Sequence, residues 1–139
     1  MINNITLADV EYTAFVLAKE LLTLDEPIPN FSCRFPNSLE SCLASPFQTF
    51  YRKPLYPGLI SKASILFYLM IKNHPFQNGN KRIAVTTLLV FLFLNKKWID
   101  VHILTFLNFA TWIAASPPEF KAEAIKAIEK FLKKYIASL

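Results

Sequence analysis

The chain has 139 residues, a length typical of one compact domain, and 53% of them are hydrophobic while 18% are charged. This balance excludes an intrinsically disordered chain. Only two glycines, Gly58 and Gly79, occur beside nine prolines. So few glycines disfavour β-sandwiches and barrels, and they exclude a dinucleotide-binding loop that needs three nearby glycines. We therefore expect a single all-α domain over residues 1–139.

The net charge of the chain bears on the kind of partner that it can bind. Fifteen Lys and Arg against ten Asp and Glu give a net charge of +5, which suits an anionic partner or is simply a soluble surface. The basic residues are scattered and form no known nucleic-acid motif, so direct binding of nucleic acid is not expected.

Cys33 and Cys42 lack the spacing of a metal site. We interpret them as free thiols of a reducing, cytoplasmic compartment.

Membrane association is not expected from the hydropathy pattern. The longest nearly apolar run, Ile83–Leu94, would span about 18 Å as a helix, against about 30 Å for a bilayer core. Residues 1–9 lack the basic and apolar regions of a signal peptide.

The first half of the chain predicts two helices and a flap. Thr6 and Asp9 form a predicted capping box for a helix over residues 7–22. Residues 24–37 contain three prolines and predict an irregular connection, followed by a short helix over Ser38–Ala44. The segment Pro46–Pro57 predicts a β-hairpin or extended flap, because it is rich in strand-favouring residues between prolines, among them Phe47, Gln48, Thr49 and Phe50.

The second half predicts four more helices. Leu59–Asn73 and Asn80–Leu94 flank a loop over His74–Gly79, and the second of these helices is apolar on nearly all sides, which places it at the centre of a bundle. Asp100 is the predicted cap of a fifth helix that ends at Ala115. Ser116 and Glu119 form a predicted capping box for the last helix, whose buried face carries Ile125, Ile128, Leu132 and Tyr135.

The segment His74–Arg82 carries the features of an anion site. Gly79 can adopt the positive φ that turns successive backbone N–H groups toward one point, and the helix that follows directs its positive end there. Asn80, Lys81 and Arg82 add donors and two positive charges in the first turn of that helix. The pattern predicts a nest for phosphates.

His74 is the nearby side chain that can accept a proton near neutral pH, and Phe76 is predicted to anchor the loop in the core. The alternative interpretation stays open at this point. A single histidine after a helix can be a capping or core residue, and a basic first turn can be plain surface.

The stretch His74–Arg82 resembles the active-site motif of the Fic/Doc family, and most closely its Doc (death-on-curing) branch. The similarity extends upstream, where Leu39–Phe50 and Leu55–Pro57 resemble the flap region of that branch. It continues downstream along the apolar helix to Asn95. The resemblance implies a Fic/Doc-like helical bundle of about six helices with a short β-hairpin flap.

The resemblance also implies roles for individual residues. His74 matches the general base that deprotonates a hydroxyl group of a target protein, and Gly79, Asn80 and Arg82 match the loop that holds the phosphates of ATP. Asn78 stands where the family commonly has an acidic magnesium ligand, and a neutral amide is a poorer ligand for Mg²⁺. Residues 46–54, with Phe47, Gln48, Thr49 and Phe50, match the flap that aligns a target segment by strand addition.

Two departures from the family pattern bear on the reaction. Relatives that transfer AMP usually have glycine at the position of Lys81 and a second arginine at that of Val85. The resemblance to Doc therefore implies a reversed nucleotide and transfer of the γ-phosphate of ATP, that is, a protein kinase with elongation factor Tu as the implied target. An AMP transferase and a catalytically silent binding module are the alternatives.

Control of the activity is expected to come from a second protein. Many Fic relatives restrain themselves with a Ser/Thr-x-x-x-Glu segment that pairs with the second arginine. None of the seven glutamates of this chain has Ser or Thr four residues earlier, and the arginine position is Val85. The resemblance then implies a toxin that is restrained by a small separate antitoxin.

Overall fold

The computed structural model describes residues 1–23 and 27–139, and this part of the chain contains six helices and two short strand pairs. The helices are α1 (Leu7–Asp9, a π-helical turn at Val10–Ala14, and Phe15–Leu21), α2 (Pro36–Ala44), α3 (Gly58–Lys72), α4 (Asn80–Leu94), α5 (Ile103–Ala115) and α6 (Lys121–Tyr135). The strands are β1 (Thr49–Phe50), β2 (Lys53–Pro54), β3 (Lys97–Ile99) and β4 (Ile136–Ser138). The predicted helical fold with a β-hairpin flap is confirmed.

Helix α4 lies at the centre of the bundle, as its apolar circumference predicted. Its buried side chains include Ile83, Ala84, Val85, Leu88, Phe91 and Leu92. The buried hydroxyl of Thr86 donates to the Ala14 carbonyl at 2.8 Å and so joins α4 to the π-helical turn of α1. Burial of α4 fixes the place of its first turn, which carries Asn80, Lys81 and Arg82.

The ends of α1 and α2 follow recognisable local signals. The Thr6–Asp9 capping box is present, with both reciprocal hydrogen bonds formed. Helix α2 begins at Pro36, two residues before the predicted start, because the fixed φ of proline suits the first position of a helix. Of the predicted irregular connection, residues 24–26 lie outside the described residues.

Both predicted caps in the second half of the chain were wrong. His102, not Asp100, caps α5, and its Nδ1 accepts the Leu104 N–H at 3.1 Å. Asp100 instead follows β3 and donates its N–H to the Tyr135 carbonyl at 2.8 Å. Because β3 pairs with β4, Asp100 is held at the end of this strand pair and the helix starts after it.

The Ser116–Glu119 capping box is absent as well. The Ser116 hydroxyl donates backward to the Ile113 carbonyl at 2.6 Å and so closes the end of α5. A 3₁₀ turn over Pro118–Phe120 then leads into α6. The predicted buried face of α6 is confirmed by Ile128 and Leu132, which are fully buried.

The flap is an antiparallel hairpin in which Thr49 pairs with Pro54 and Phe50 with Lys53. Its two turn residues, Tyr51 and Arg52, have φ of 50° and 64°. The base of the flap is held by Lys62, whose Nζ donates to the Tyr56 carbonyl at 2.6 Å. Among the described residues, no helix is both long and apolar enough to cross a bilayer.

Candidate functional site

A cavity of about 410 Å³ lies between the loop that follows α3, the first turn of α4 and one face of α5. This volume is within the range of small-molecule sites. All six residues predicted to bind the nucleotide or act on it line the cavity: His74, Asn78, Gly79, Asn80, Lys81 and Arg82. The structure therefore brings the whole predicted constellation to one place.

Gly79 is required at the start of α4 for two independent reasons. Its φ is +79°, in the left-handed region that disfavours side chains. A Cβ atom there would also lie 2.7 Å from Cγ1 of Ile28, closer than real Cβ contacts come. Among the described residues, no side chain caps this helix, so the N–H groups of Asn80 and Lys81 can bind an anion in the cavity.

Asn80 closes the loop rather than pointing a free amide at the cavity. Its Oδ1 accepts the Phe76 N–H at 2.9 Å, and its Nδ2 donates to the Phe76 carbonyl at 2.8 Å. Phe76 is buried against the rings of Phe15 and Phe31, with centroids 5.7 and 5.9 Å away. The loop is thus anchored in the core by Phe76, as predicted, and Asn80 is left to offer an anion its backbone N–H.

The His74 imidazole is exposed at the mouth of the cavity. Its Nδ1 lies 3.5 Å from Nδ2 of Asn80. This distance is at the outer limit of a hydrogen bond, so the contact does not fix which ring nitrogen carries the proton. The ring can therefore present a lone pair to a group that enters the cavity.

Lys81 and Arg82 give the cavity its positive charge. Lys81 is partly exposed, whereas Arg82 is only 6% exposed and donates from Nη1 to the Leu22 carbonyl at 3.0 Å. Arg82 thus has two roles, since it lines the cavity and holds the end of α1. Both cations line the cavity, so their charge would favour an anion there.

Asn78 is poorly suited to hold a magnesium ion. Its Oδ1 already accepts the Gly79 N–H at 2.8 Å, and its Nδ2 lies 3.5 Å from the Pro27 carbonyl oxygen. Among the described residues, no group of three His, Cys, Asp or Glu side chains could hold a metal. The described residues therefore do not fit a magnesium ion bound by the protein alone.

The four predicted flap residues lie outside the cavity lining, and they do not share one environment. Phe47 turns inward and packs edge-on against Phe91, with centroids 6.3 Å apart. Gln48, Thr49 and Phe50 are exposed. Their position leaves a strand edge available to another chain, whereas Phe47 anchors the flap.

The wall formed by α5 was not predicted to belong to a site. It consists of Leu104, Leu107, Asn108 and Thr111, which recur at the spacing of one helical face. This face mixes apolar and polar residues, so no pattern in the sequence distinguishes it from an ordinary half-exposed helix. Only the packing of α5 beside α4 identifies it.

Comparison with known proteins assigns the chain to a family. A family model described as the Fic/DOC family matches residues 6–92, which is more than half of the chain and includes the loop, the flap and most of α4. No significant match was found among curated proteins or solved structures. The family is usually one of nucleotide-transferring enzymes that act on proteins and generally bind ATP. The match to residues 6–92 means that this chain belongs to the Fic/DOC family.

Proposed function

We propose that this protein is a kinase that transfers the γ-phosphoryl group of ATP to a hydroxyl side chain of a target protein. The observation that carries the proposal is one juxtaposition. The exposed His74 imidazole shares a single cavity with the first turn of α4, which begins after the N-cap Gly79, and with the cations of Lys81 and Arg82. A base beside an anion site is what phosphoryl transfer to a hydroxyl requires.

In the proposed reaction His74 is the general base. The target hydroxyl gives its proton to the imidazole while its oxygen attacks the γ-phosphorus of ATP. The bond from that phosphorus to the β–γ bridging oxygen breaks, and ADP leaves. The first-turn N–H groups of α4, together with Lys81 and Arg82, would hold the phosphates and offset the charge that develops on them.

The choice of the γ-phosphoryl group rests on positions 81 and 85. Lys81 brings a long cation into the cavity lining, where AMP-transferring relatives usually have glycine. Val85 is fully buried and apolar, so it cannot contact a phosphate. The second arginine that AMP-transferring relatives usually have at this position is therefore without an equivalent. Both features support a nucleotide orientation that presents the γ-phosphorus to His74.

The biological setting is part of the proposal. We infer that the enzyme is the toxin of a toxin–antitoxin pair and acts on elongation factor Tu in the cytoplasm, which would inhibit translation. The exposed flap residues Gln48, Thr49 and Phe50 suit strand addition by a segment of that target. The chain lacks the internal Ser/Thr-x-x-x-Glu restraint, so a separate antitoxin is required to protect the cell.

The test uses ATP labelled at either the α or the γ phosphate, with purified elongation factor Tu and with a cell lysate. Transfer of the γ label, lost in His74→Ala, is the expected result. Transfer of the α label with release of pyrophosphate would identify an AMP transferase instead. Transfer of neither label by a folded protein that binds ATP would indicate a silent binding module.

The toxin assignment has its own test. Expression of the chain alone should arrest growth, and co-expression of a neighbouring small open reading frame should restore it. Normal growth with abundant folded protein would contradict the toxin assignment, whichever label is transferred in vitro.

A further inference from the structure

Residues on both sides of His74 are held by the segment that forms and precedes α2. The Ser38 hydroxyl donates to the Asn73 carbonyl at 3.0 Å, and the Phe35 N–H donates to the Pro75 carbonyl at 2.9 Å. The backbone of His74 is therefore fixed from each side by a part of the chain more than thirty residues away.

His74 needs this support because its backbone is strained. Its φ is +46°, in the left-handed region that residues other than glycine seldom adopt. Such a conformation persists only where surrounding contacts determine it, and it is common at functional sites. Without the contacts from the α2 segment, the peptide on either side of His74 could relax and carry the imidazole away.

We infer that Ser38 is a positioning residue for His74, acting through the Asn73 carbonyl. The inference rests on the proposed function of His74 as the base. Ser38 is the informative member of the two contacts, because Phe35 uses its backbone N–H and Ser38 its side chain. Ser38 is a partly buried residue whose hydrogen bond is exposed, so a change to alanine removes one hydrogen bond and little packing.

A structural measurement tests the inference without relying on activity. The chain has two histidines, His74 and His102, so the imidazole region of a proton NMR spectrum should contain two sets of signals. Ser38→Ala should shift or broaden the His74 signals and leave those of His102 unchanged, since His102 lies at the start of α5. Ser38→Thr, which keeps a hydroxyl, should restore the His74 signals.

The matched control is Ser41→Ala. Ser41 lies on the same helix and is exposed, and its hydroxyl has no hydrogen-bond partner in the described part of the chain. This variant should leave both histidine signals in place. If Ser38→Ala leaves the His74 signals as Ser41→Ala does, the inference is wrong.

The kinetic measurement separates positioning from binding. Ser38→Ala should lower the maximal transfer rate by about tenfold or more, because small misplacement of a reacting group has large effects on rate. The dissociation constant of ATP should stay the same, since the predicted nucleotide-binding residues begin at Asn78, beyond the Phe76 anchor. Combined with His74→Ala, the Ser38 change should lower the rate no further, because both act through one group.

The outcomes also distinguish this inference from the proposed function. If His74→Ala transfers phosphate at the wild-type rate, the proposed function fails, while the NMR result still decides whether Ser38 holds His74. If His74→Ala is inactive and Ser38→Ala is fully active, the inference about Ser38 is overturned and the proposed function stands.

Discussion

The Asn80 side chain pairs with both backbone groups of Phe76, accepting the N–H at 2.9 Å and donating to the carbonyl at 2.8 Å. This pair of hydrogen bonds holds the loop in one conformation and joins it to the first turn of α4. The same residue therefore connects the phenyl ring buried in the core to the lining of the cavity.

Asn80→Asp should break half of this pair. A carboxylate can still accept the Phe76 N–H, but it cannot donate to the carbonyl and would repel it. We expect the free energy of unfolding to fall by about 1–3 kcal/mol and the affinity for ATP to fall as well. Urea unfolding and titration calorimetry measure the two effects.

Gln77→Glu is the control for the added charge. Gln77 is exposed and lines the same cavity, so this variant places a negative charge there without breaking a hydrogen bond of the loop. Equal unfolding free energies for the two variants would show that the Asn80 pair contributes nothing to stability.

The two glycines provide a matched pair of substitutions. Both have a φ near +80°, but a Cβ at Gly58 would meet nothing within 4 Å, whereas one at Gly79 would meet Ile28 at 2.7 Å. Gly58→Ala should therefore measure backbone strain alone, about 1–2 kcal/mol. Gly79→Ala should lower the free energy of unfolding by more than Gly58→Ala does, and it should also weaken ATP binding.

The excess loss in Gly79→Ala should depend on Ile28. Adding Ile28→Ala to Gly79→Ala should recover part of the excess, as a thermal unfolding series over the four combinations would show. If both glycine variants are destabilised equally, the close approach of Ile28 has no energetic consequence.

Substitution of the two histidines should affect two different properties, the rate of transfer for His74 and the stability of the fold for His102. His74→Ala should slow transfer by between about a hundredfold and ten-thousandfold, the usual contribution of a general base, with an unchanged unfolding midpoint. His102→Ala removes the cap of α5 and should reduce stability by about 1 kcal/mol while transfer continues. A fall in transfer for His102→Ala as large as for His74→Ala would contradict the assignment of the base.

Lys81 should contribute to binding rather than to stability, because it is partly exposed and lines the cavity. Lys81→Ala should weaken ATP binding measured by calorimetry, and the effect should shrink at high salt. Lys126→Ala removes the same charge from the exposed face of α6 and serves as the control. Lys81→Gly should also raise transfer of the α label relative to the γ label.

Arg82 is a less direct probe of the same site. Its bond to the Leu22 carbonyl makes it structural as well, so Arg82→Ala should lower both stability and ATP affinity. Loss of affinity in Lys81→Ala without loss of stability is therefore the result that supports a phosphate site. Equal affinities for wild type, Lys81→Ala and Lys126→Ala would argue against it.

Cys42 should make the fold sensitive to alkaline pH. Burial raises the pKa of the Cys42 thiol from 9.0 to about 11, partly offset by its hydrogen bond to the Asn73 side chain. Between these values the unfolded chain loses the thiol proton and the folded chain keeps it, so stability is retained below pH 9 and lost as the pH rises toward 11. Urea unfolding from pH 8 to 11 should show a shallower decline for Cys42→Ala.

The two thiols should also differ in reactivity. Cys33 is exposed and Cys42 is fully buried. Treatment of the folded protein with iodoacetamide should add one group, at Cys33, and treatment in denaturant should add two. Modification of Cys42 in the folded protein at the rate of Cys33 would show that α2 does not stay packed.

The sequence predicts the elements whose signals are local. The bounds of α4 were correct because an apolar circumference and a glycine start define that helix within its own residues. The cap of α5 was missed because histidine is an uncommon cap, and because β3 and β4 pair across nearly forty residues. No sequence pattern within either three-residue strand predicts that the two strands pair.

The same distinction applies to the candidate site. Its predicted residues fall within nine consecutive positions, so a loop and one helical turn were enough to bring them together. The wall from α5 and the contact from Ser38 to Asn73 come from packing between distant segments. The sequence alone does not predict packing between distant segments. It also does not predict that the Asn80 amide is hydrogen-bonded within the loop.

The hairpin turn at Tyr51 and Arg52 has a consequence for what the flap can recognise. Two-residue turns with positive φ at both positions favour asparagine and glycine, and this flap has neither. Only two residue pairs join its strands, so its shape is weakly determined by its own chain. A segment that adds a strand there would complete the shape through backbone bonds, which tolerate many side chains. Selectivity among targets would then depend on which hydroxyl reaches His74 and not on the sequence lying along the flap.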